Sequence, residues 1–137
     1  MKPTSAKSAK ARAWKAFSLW VRQRGSRFGT NICVTCDRVL PVKLLDAGHF
    51  IAGRSNGILF DTRNCWPQCR WCNRYRHGRQ LDYRDFIVKK FGEAVVEELR
   101  ALSKIPKPMN VDDFLKIERF YKGREGMKDG FCKPSHT

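Results

Sequence analysis

Two Cys-x-x-Cys pairs stand out among the residues that can do chemistry, Cys33/Cys36 and Cys69/Cys72. Each pair can curl around one edge of a Zn²⁺ ion, and two pairs supply the four thiolates of a tetrahedral structural site. Residues 37–68 separate the pairs, more than the roughly 15–20 residues of an ordinary zinc ribbon, so a further structure is inserted between them. The alternative is two unrelated pairs of core cysteines. Cys65 has no partner at this spacing and is predicted to be a buried thiol.

A histidine and two asparagines follow the spacing His49-x14-Asn64-x8-Asn73 between and just after the cysteine pairs. Hydrolysis of a phosphodiester needs a base that activates water and a cation that neutralises growing charge. Histidine, with an ordinary pKa near 6.5, suits the base. Asn73 offers an amide oxygen to Mg²⁺ or Mn²⁺, which prefer oxygen ligands, and Asn64 is expected to tie its loop to the strand carrying His49. Taken singly, each residue also fits an ordinary structural role.

The elements that must position these residues can be predicted from periodicity and breaker residues. Apolar residues at steps of three and four predict a helix from about Ala13 to Gly25. The segment Val39–Ile51 is expected to be a hairpin with His49 on its second strand. A short helix is expected over residues 73–77, ending at Gly78, with Asn73 and His77 on one face.

The C-terminal half predicts helices on either side of Gly92 and a third after Asn110, which resembles a helix N-cap followed by acidic residues. The sequence therefore predicts one α+β domain over residues 13–122. It would be preceded by a flexible basic segment, residues 1–12, and followed by a flexible tail, residues 123–137, which contains Cys132.

Charge indicates the class of partner. The 137 residues include 28 Lys and Arg against 13 Asp and Glu, a formal net charge of +15. Such a balance favours a polyanion, and charge alone leaves DNA, RNA and anionic lipid open. No apolar run approaches the ~18 residues of a membrane span, and no signal peptide is recognisable, so an intracellular protein without a membrane partner is expected. Cysteines in that compartment favour metal over disulfides.

Taken together, the motifs resemble the HNH, or ββα-metal, endonuclease superfamily, and more closely the NinG/Rap family of lambdoid phage recombination nucleases. The resemblance covers about residues 12–100. It rests on Cys33-x-x-Cys36, Asp46-Ala-Gly-His49, Phe60-Asp61-x-Arg63-Asn64, Gln68-Cys69-x-x-Cys72-Asn73, Gly78, Tyr83-Arg84 and Gly92-x-Ala-Val95-x-Glu97.

The resemblance implies a zinc-stapled ββα-metal core and metal-dependent cutting of branched DNA, such as D-loops and Holliday junctions, that leaves 5′-phosphate ends. His49, Asn64 and Asn73 would be its catalytic residues. The residue before the catalytic histidine is usually a metal ligand in HNH enzymes, whereas Gly48 stands here. Asp46 is the first candidate for the second ligand of the catalytic cation and His77 is the second, while Asp61 is expected to brace its loop.

Several arginines near the site in sequence are expected to contact DNA phosphates, which gives affinity with little sequence readout. They are Arg54, Arg63, Arg70, Arg74, Arg76 and Arg79. Two other functions fit the same charge and cysteines. One is a non-catalytic zinc module that binds nucleic acid, and the other is an interaction protein of a recombination or packaging complex. Monomer and homodimer are both left open.

Overall fold

A computed structural model describes residues 3–124 as a mixed α+β fold, which confirms the predicted class. Residues 125–137, with Cys132 and most of the expected tail, lie outside the described residues. The elements are α1 (Ala6–Gln23), β1 (Thr30–Ile32), β2 (Val39–Pro41), β3 (Leu45–His49), α2 (Asn56–Leu59), β4 (Cys65–Cys69), α3 (Gln80–Phe91), α4 (Glu93–Lys104) and α5 (Val111–Lys122). A 3₁₀ turn covers Val42–Leu44, and a π-helical segment covers Trp71–Tyr75.

The strands form two separate antiparallel pairs, β1 with β2 and β3 with β4. The expected hairpin over Val39–Ile51 is therefore wrong. The 3₁₀ turn separates β2 from β3, and each strand finds its partner elsewhere in the chain. His49 does end a strand, but that strand pairs with β4, where His49 lies opposite Cys65.

The β3–β4 pair lies between two helical layers, because successive side chains of a strand point to opposite faces. Cys65 belongs to a core cluster with α1 and α5 that contains Phe17 and Tyr121. Its neighbour Trp66 belongs to a second cluster with α3 and α4, around Tyr83. The pair that carries His49 is thus held from both faces.

Arg24 joins these layers at the end of α1. Its guanidinium lies 3.5 Å from the centroid of Trp66 and 4.8 Å from that of Trp20. Nη1 donates to the carbonyl oxygens of Thr62, at 2.7 Å, and Cys65, at 3.0 Å. Burial lowers the pKa of Arg24 to about 10, which leaves it charged at neutral pH. A buried cation with carbonyl and aromatic partners is an arrangement that is costly to open.

Helix α1 begins at Ala6, earlier than the expected start near Ala13, so residues 6–12 belong to the folded domain. Ser5 caps it by accepting a hydrogen bond from the backbone N–H of Ser8. Ala9 and Ala13 are fully buried against α5. The Lys- and Ser-rich composition concealed this stripe, since its apolar side chains are single methyl groups that let two helices approach closely.

The three C-terminal helices lie where the sequence predicts them. Gly92, at φ 97°, separates α3 from α4, because that conformation favours a residue without Cβ. The side chain of Asn110 accepts from the backbone of Asp113, whose carboxylate accepts in return from the backbone of Asn110.

Across residues 3–124, no helix combines the length and apolarity that crossing a bilayer requires.

Enlarging a buried alanine tests whether the first turns of α1 pack. Ala9→Leu should lower the free energy of unfolding by about 1–3 kcal/mol, because added methyl groups meet a filled core. Ala11→Leu, on the exposed side of the same helix, should leave it nearly unchanged. Urea unfolding followed by circular dichroism compares them, and equal midpoints would show that these turns do not pack.

Candidate metal centre and histidine cavity

The four cysteines predicted to bind zinc form one cluster, in which the Sγ atoms of Cys33, Cys36, Cys69 and Cys72 all lie within 4.8 Å of one another. The first pair lies in the turn between β1 and β2. Cys69 ends β4, and Cys72 follows in the π-helical segment, where its N–H approaches Cys69 Sγ at 3.4 Å. Four thiolates at such distances can hold one metal ion, and this donor set is that of a structural zinc site.

The cluster already favours negative charge at one sulfur. Burial acts to raise the pKa of Cys33, but hydrogen bonds from Thr35 and the backbone outweigh it and lower the pKa to about 7. Burial raises the pKa of Cys36 to about 12. Thiols this close repel each other as thiolates, so a bound cation is what would allow all four to ionise together. Cys65 lies outside the cluster, fully buried, where burial raises its pKa.

A cavity of about 280 Å³ lies beside β3 and brings together His49, Asn73 and His77. These side chains come from the end of β3, the π-helical segment and the turn that follows it. The other lining residues are Trp14, Ala47, Ala52, Gly53, Arg54, Gly78 and Gln80. None of the described residues that line it is acidic.

Two contacts hold the side chain of His49: a hydrogen bond from one ring nitrogen and stacking of the ring on an aromatic neighbour. Nε2 lies 3.1 Å from the carbonyl oxygen of Leu59. A carbonyl only accepts, so Nε2 carries the hydrogen and Nδ1 keeps its lone pair. The ring stacks on Trp14, with centroids 5.1 Å apart. Burial lowers the pKa of His49, and the nearby charge of Arg54 lowers it further, against the opposing hydrogen bond to Leu59. The imidazole is therefore neutral at pH 7.

Asp46 orients Asn73 from behind. Asn73 Nδ2 donates to Asp46 Oδ2 at 2.9 Å, which turns the amide oxygen of Asn73 away from the carboxylate. Arg74 donates to both oxygens of Asp46, at 2.9 and 3.0 Å, and Arg70 lies at 3.7 Å. Asp46 does not line the cavity. In the structure, Asp46 supports the side chain of Asn73.

Asn64 braces the chain next to His49. It is fully buried, accepts from the backbone N–H of Ile51 at 2.8 Å and donates to the carbonyl of Ile51 at 3.0 Å. Its own carbonyl accepts from Phe50 N–H at 2.8 Å. Asn64 is absent from the cavity wall, so it is placed to fix the path of the chain after β3 and is not placed to touch a substrate there.

Gln68 occupies the place where a side chain at Gly48 would begin. A Cβ at position 48 would collide with the Gln68 side chain, whose buried Oε1 has no hydrogen-bond partner among the described residues. Gln68 Nε2 donates to Thr35 Oγ1 at 3.1 Å and to the carbonyl of Gly78 at 3.0 Å, while Tyr83 donates to the carbonyl of Gly48 at 2.6 Å. Sequence reasoning placed Gln68 in a motif but gave it no role; the structure shows that it links the cysteine cluster to the cavity wall.

His77 reaches the cavity by an unexpected route. The π-helical segment ends at Tyr75, and His77, Gly78 and Arg79 have φ of 52°, 80° and 47°. A short helix does form, but as the π-helical segment Trp71–Tyr75. The expected span of residues 73–77 is wrong, and Asn73 and His77 do not share a helical face. Non-glycine residues in the left-handed region on both sides of Gly78 are costly and need surrounding contacts to hold them. The bond from Gly78 N–H to the carbonyl of Cys72, at 2.8 Å, is one such contact.

The six candidate DNA-contacting arginines separate into two groups. Arg54 lines the cavity and lies 5.5 Å from the Trp14 ring centroid. Arg70, Arg74 and Arg76 are exposed on or beside the π-helical segment.

The remaining two arginines are less exposed and, like Arg74, pair with acidic neighbours. Arg79 pairs with Asp82 at 2.7 Å. Arg63 pairs with Asp61 at 2.8 Å and with Glu98 of α4 at 3.1 Å, and hydrogen bonding to Asp61 raises its pKa. Asp61 braces its loop in this way, and Arg63 is a structural residue rather than a free phosphate contact.

Removing one cluster sulfur should release the metal. Cys72→Ser should abolish stoichiometric zinc and unfold the protein, because the binding free energy of a closed site is folding free energy. Cys65→Ala, which removes a buried sulfur outside the cluster, should keep one zinc ion per chain. Zinc released by a thiol reagent measures both variants, and a folded, metal-free wild type would contradict the site.

Comparison with known proteins identifies the family of the chain. The family model for the bacteriophage lambda NinG protein matches residues 2–129. The NinG protein of Salmonella phage P22 is 28% identical over 98 residues, which cover 65% of this chain and 48% of the phage protein. Those of Escherichia phages 933W and lambda are 26% identical over the same shares, so the chain spans about half the length of these curated relatives. No solved structure matches. The chain belongs to the NinG family of bacteriophage proteins.

Proposed function

We propose that the protein is a metal-dependent DNA endonuclease of the HNH type that acts on recombination intermediates. The observation that carries the proposal is His49, a neutral imidazole whose Nδ1 lone pair is free in a cavity that also holds Asn73. The antiparallel pair β3–β4 and the π-helical segment after it carry these side chains, and this order of elements supports the proposal. Family membership supports a role in phage recombination.

His49 would act as the general base. Nδ1 takes a proton from water, and the water oxygen forms a bond to phosphorus as the bond from phosphorus to the 3′ oxygen breaks. The leaving 3′ oxygen takes up a proton from solvent water. The carbonyl of Leu59 accepts from Nε2–H throughout and stabilises the positive charge that the imidazole gains. The products are a 5′-phosphate and a 3′-hydroxyl, as the family resemblance implies.

Asn73 and His77 would hold the divalent cation. When bound, the cation would neutralise negative charge on the phosphate and on the leaving oxygen. The amide oxygen of Asn73 is turned away from Asp46, and the imidazole of His77 lines the same cavity. Neither ligand supplies negative charge, and Asp46 is paired with Arg74. These donors fit a cation whose remaining ligands are water and substrate phosphate. Asp46 then acts as the residue that positions Asn73.

DNA is proposed as the substrate because the charge and the arginines fit a phosphate backbone. The chain carries a net charge of +15. Arg54 lies in the cavity wall and Arg76 is exposed on the segment that follows Asn73. Such contacts grip phosphates without reading sequence, as expected of an enzyme that recognises the shape of its substrate. A zinc-containing nucleic-acid-binding module without catalysis would share these properties, and the next experiment separates the two.

His49→Ala should lower the cleavage rate by about 10²–10⁴, because it removes the base. Nicking of plasmid and cutting of branched DNA in Mg²⁺ or Mn²⁺, with a chelator control, measure the loss. Zinc content and DNA affinity should stay near wild type. Since the pKa of His49 is lowered, kcat/KM should be flat around pH 7 and fall only when the pH drops below about 6.5. Unchanged cleavage by His49→Ala would remove the assignment and leave the binding module.

His77→Ala and Asp46→Asn separate a ligand from a positioning residue. A nitrogen ligand favours Mn²⁺ over Mg²⁺, so His77→Ala should reduce the preference for Mn²⁺ while raising the concentration of cation needed. Asp46→Asn should weaken activation by both ions alike, by up to about 10–100-fold, as loss of a supporting contact does. Titration of the cleavage rate with each ion gives the ratio. If His77→Ala leaves the required concentration of cation unchanged and only Asp46→Asn raises it, Asp46 is the ligand.

A further inference from the structure

Two large aromatic side chains are exposed on the π-helical segment Trp71–Tyr75. Trp71 is 52% exposed and Tyr75 69% exposed, and their ring centroids lie 5.6 Å apart with an angle of 33° between the planes. Among the described residues, no other ring pair in contact has both members in the exposed class. Ring contact along a helix stabilises it by only about 0.2–0.5 kcal/mol, which does not account for keeping this much aromatic surface in water.

The surroundings of this ring pair are cationic. Arg70, Arg74 and Arg76 alternate with the aromatic residues along the chain and are exposed. Asp46 is the carboxylate that the structure places against them, and it contacts Arg70 and Arg74 but not Arg76. The surface therefore combines flat apolar faces with net positive charge, which is complementary to a nucleic acid that offers both base faces and phosphates.

The ring pair is also fixed relative to the cavity. Cys72, a member of the four-sulfur cluster, lies directly after Trp71, and Asn73, which lines the cavity, lies between the two aromatic residues. A strand held by these rings would therefore be held next to Asn73, which lines the same cavity as His49. The cluster makes the ring pair a rigid surface rather than part of a loose loop.

We propose that Trp71 and Tyr75 form a stacking surface for unpaired bases, which places the single-stranded part of a branched substrate next to the cavity. The proposal rests on the proposed function and names the feature of the substrate that this site selects. Bases stack at intervals of about 3.4 Å, so a base inserted between two rings needs them roughly 7 Å apart. At 5.6 Å the rings leave no such room, and a base stacks on an outer face of the pair.

The expected preference for single-stranded over duplex DNA depends on which bases have a face that is not already stacked on a neighbouring base. In a continuous duplex each base is covered on both sides by its neighbours, whereas unpaired bases at a branch or in a single strand are open. The ring pair thus binds single-stranded DNA and branch points with unpaired bases in preference to duplex. Phosphate contacts by arginine act on both forms and do not distinguish them.

Binding without added Mg²⁺ or Mn²⁺ tests the proposal apart from cleavage. The probes are a labelled oligothymidylate, a fork with two unpaired arms and a linear duplex, measured by fluorescence anisotropy. Trp71→Ala and Tyr75→Ala should each weaken binding to the oligothymidylate and the fork by roughly 5- to 150-fold, the loss of one stacked base. Duplex affinity should change by less than about twofold, since its phosphate contacts are retained.

Matched variants separate stacking from other effects. Phe28→Ala removes an aromatic ring that is 98% exposed elsewhere on the protein and should change nothing. Trp71→Phe keeps a ring and should restore most of the affinity, while Arg76→Ala should weaken single strand and duplex alike. A 2-aminopurine in an unpaired arm should lose fluorescence on binding to the wild type and not on binding to Trp71→Ala.

The proposal is overturned if Trp71→Ala and Tyr75→Ala bind the oligothymidylate as the wild type does, or if they weaken duplex binding equally. It is also overturned if the wild type prefers duplex, in which case a protein partner is the better occupant of the rings. Selective binding of unpaired DNA by a wild type that does not cut would support the stacking surface and reject the nuclease. The two failures are therefore distinguishable.

Discussion

The four cysteine sulfurs impose the constraint on which the candidate site depends. They join the turn after β1 to the end of β4 and the start of the π-helical segment. Closing this contact fixes the C-terminal end of β4, and β4 in turn pairs with β3, whose last residue is His49. The same closure fixes Cys72, the neighbour of Asn73. Two side chains from distant parts of the chain thus reach one cavity because their strands and turns leave from one cluster.

Buried polar side chains carry that constraint from the cluster to the cavity. Thr35 contacts Cys33 Sγ at 3.3 Å and accepts from Gln68, which also donates to the carbonyl of Gly78 in the cavity wall. Tyr83 holds the carbonyl of Gly48. Because a buried amide or hydroxyl is costly without a partner, these bonds define one arrangement more sharply than apolar packing does. Gly48 completes the fit, since any Cβ there would displace Gln68.

Short sequence patterns correctly predicted the features that depend on neighbouring residues in the chain. The cysteine spacing predicted the cluster, and Asn110 predicted a helix start, because ligand geometry and capping act within a few residues. The partner of β3 could not be predicted in the same way, since it is fixed by closure of the cluster across residues 37–68.

Residues whose partners are distant were misread for the same reason. Arg63 looked like a phosphate contact until Glu98 of α4 was placed beside it. Ala9 looked like part of a flexible segment because only packing against α5 reveals a methyl group as core. Gln68 belonged to a motif of the family resemblance, but the sequence assigned it no role, since its partners, Thr35 and Gly78, come from two other segments.

The charges around the cavity bear on how the proposed enzyme would engage its substrate. The side chains of Asn73 and His77, which line the cavity, supply no negative charge, and the acidic side chain behind Asn73, Asp46, is paired with Arg74. In a strongly basic protein, such a site has little intrinsic attraction for a divalent cation. A phosphate in the cavity would supply the missing negative charge and oxygen ligands. Cation and DNA would then increase each other's affinity by the same factor, because the coupling between two bound ligands is reciprocal.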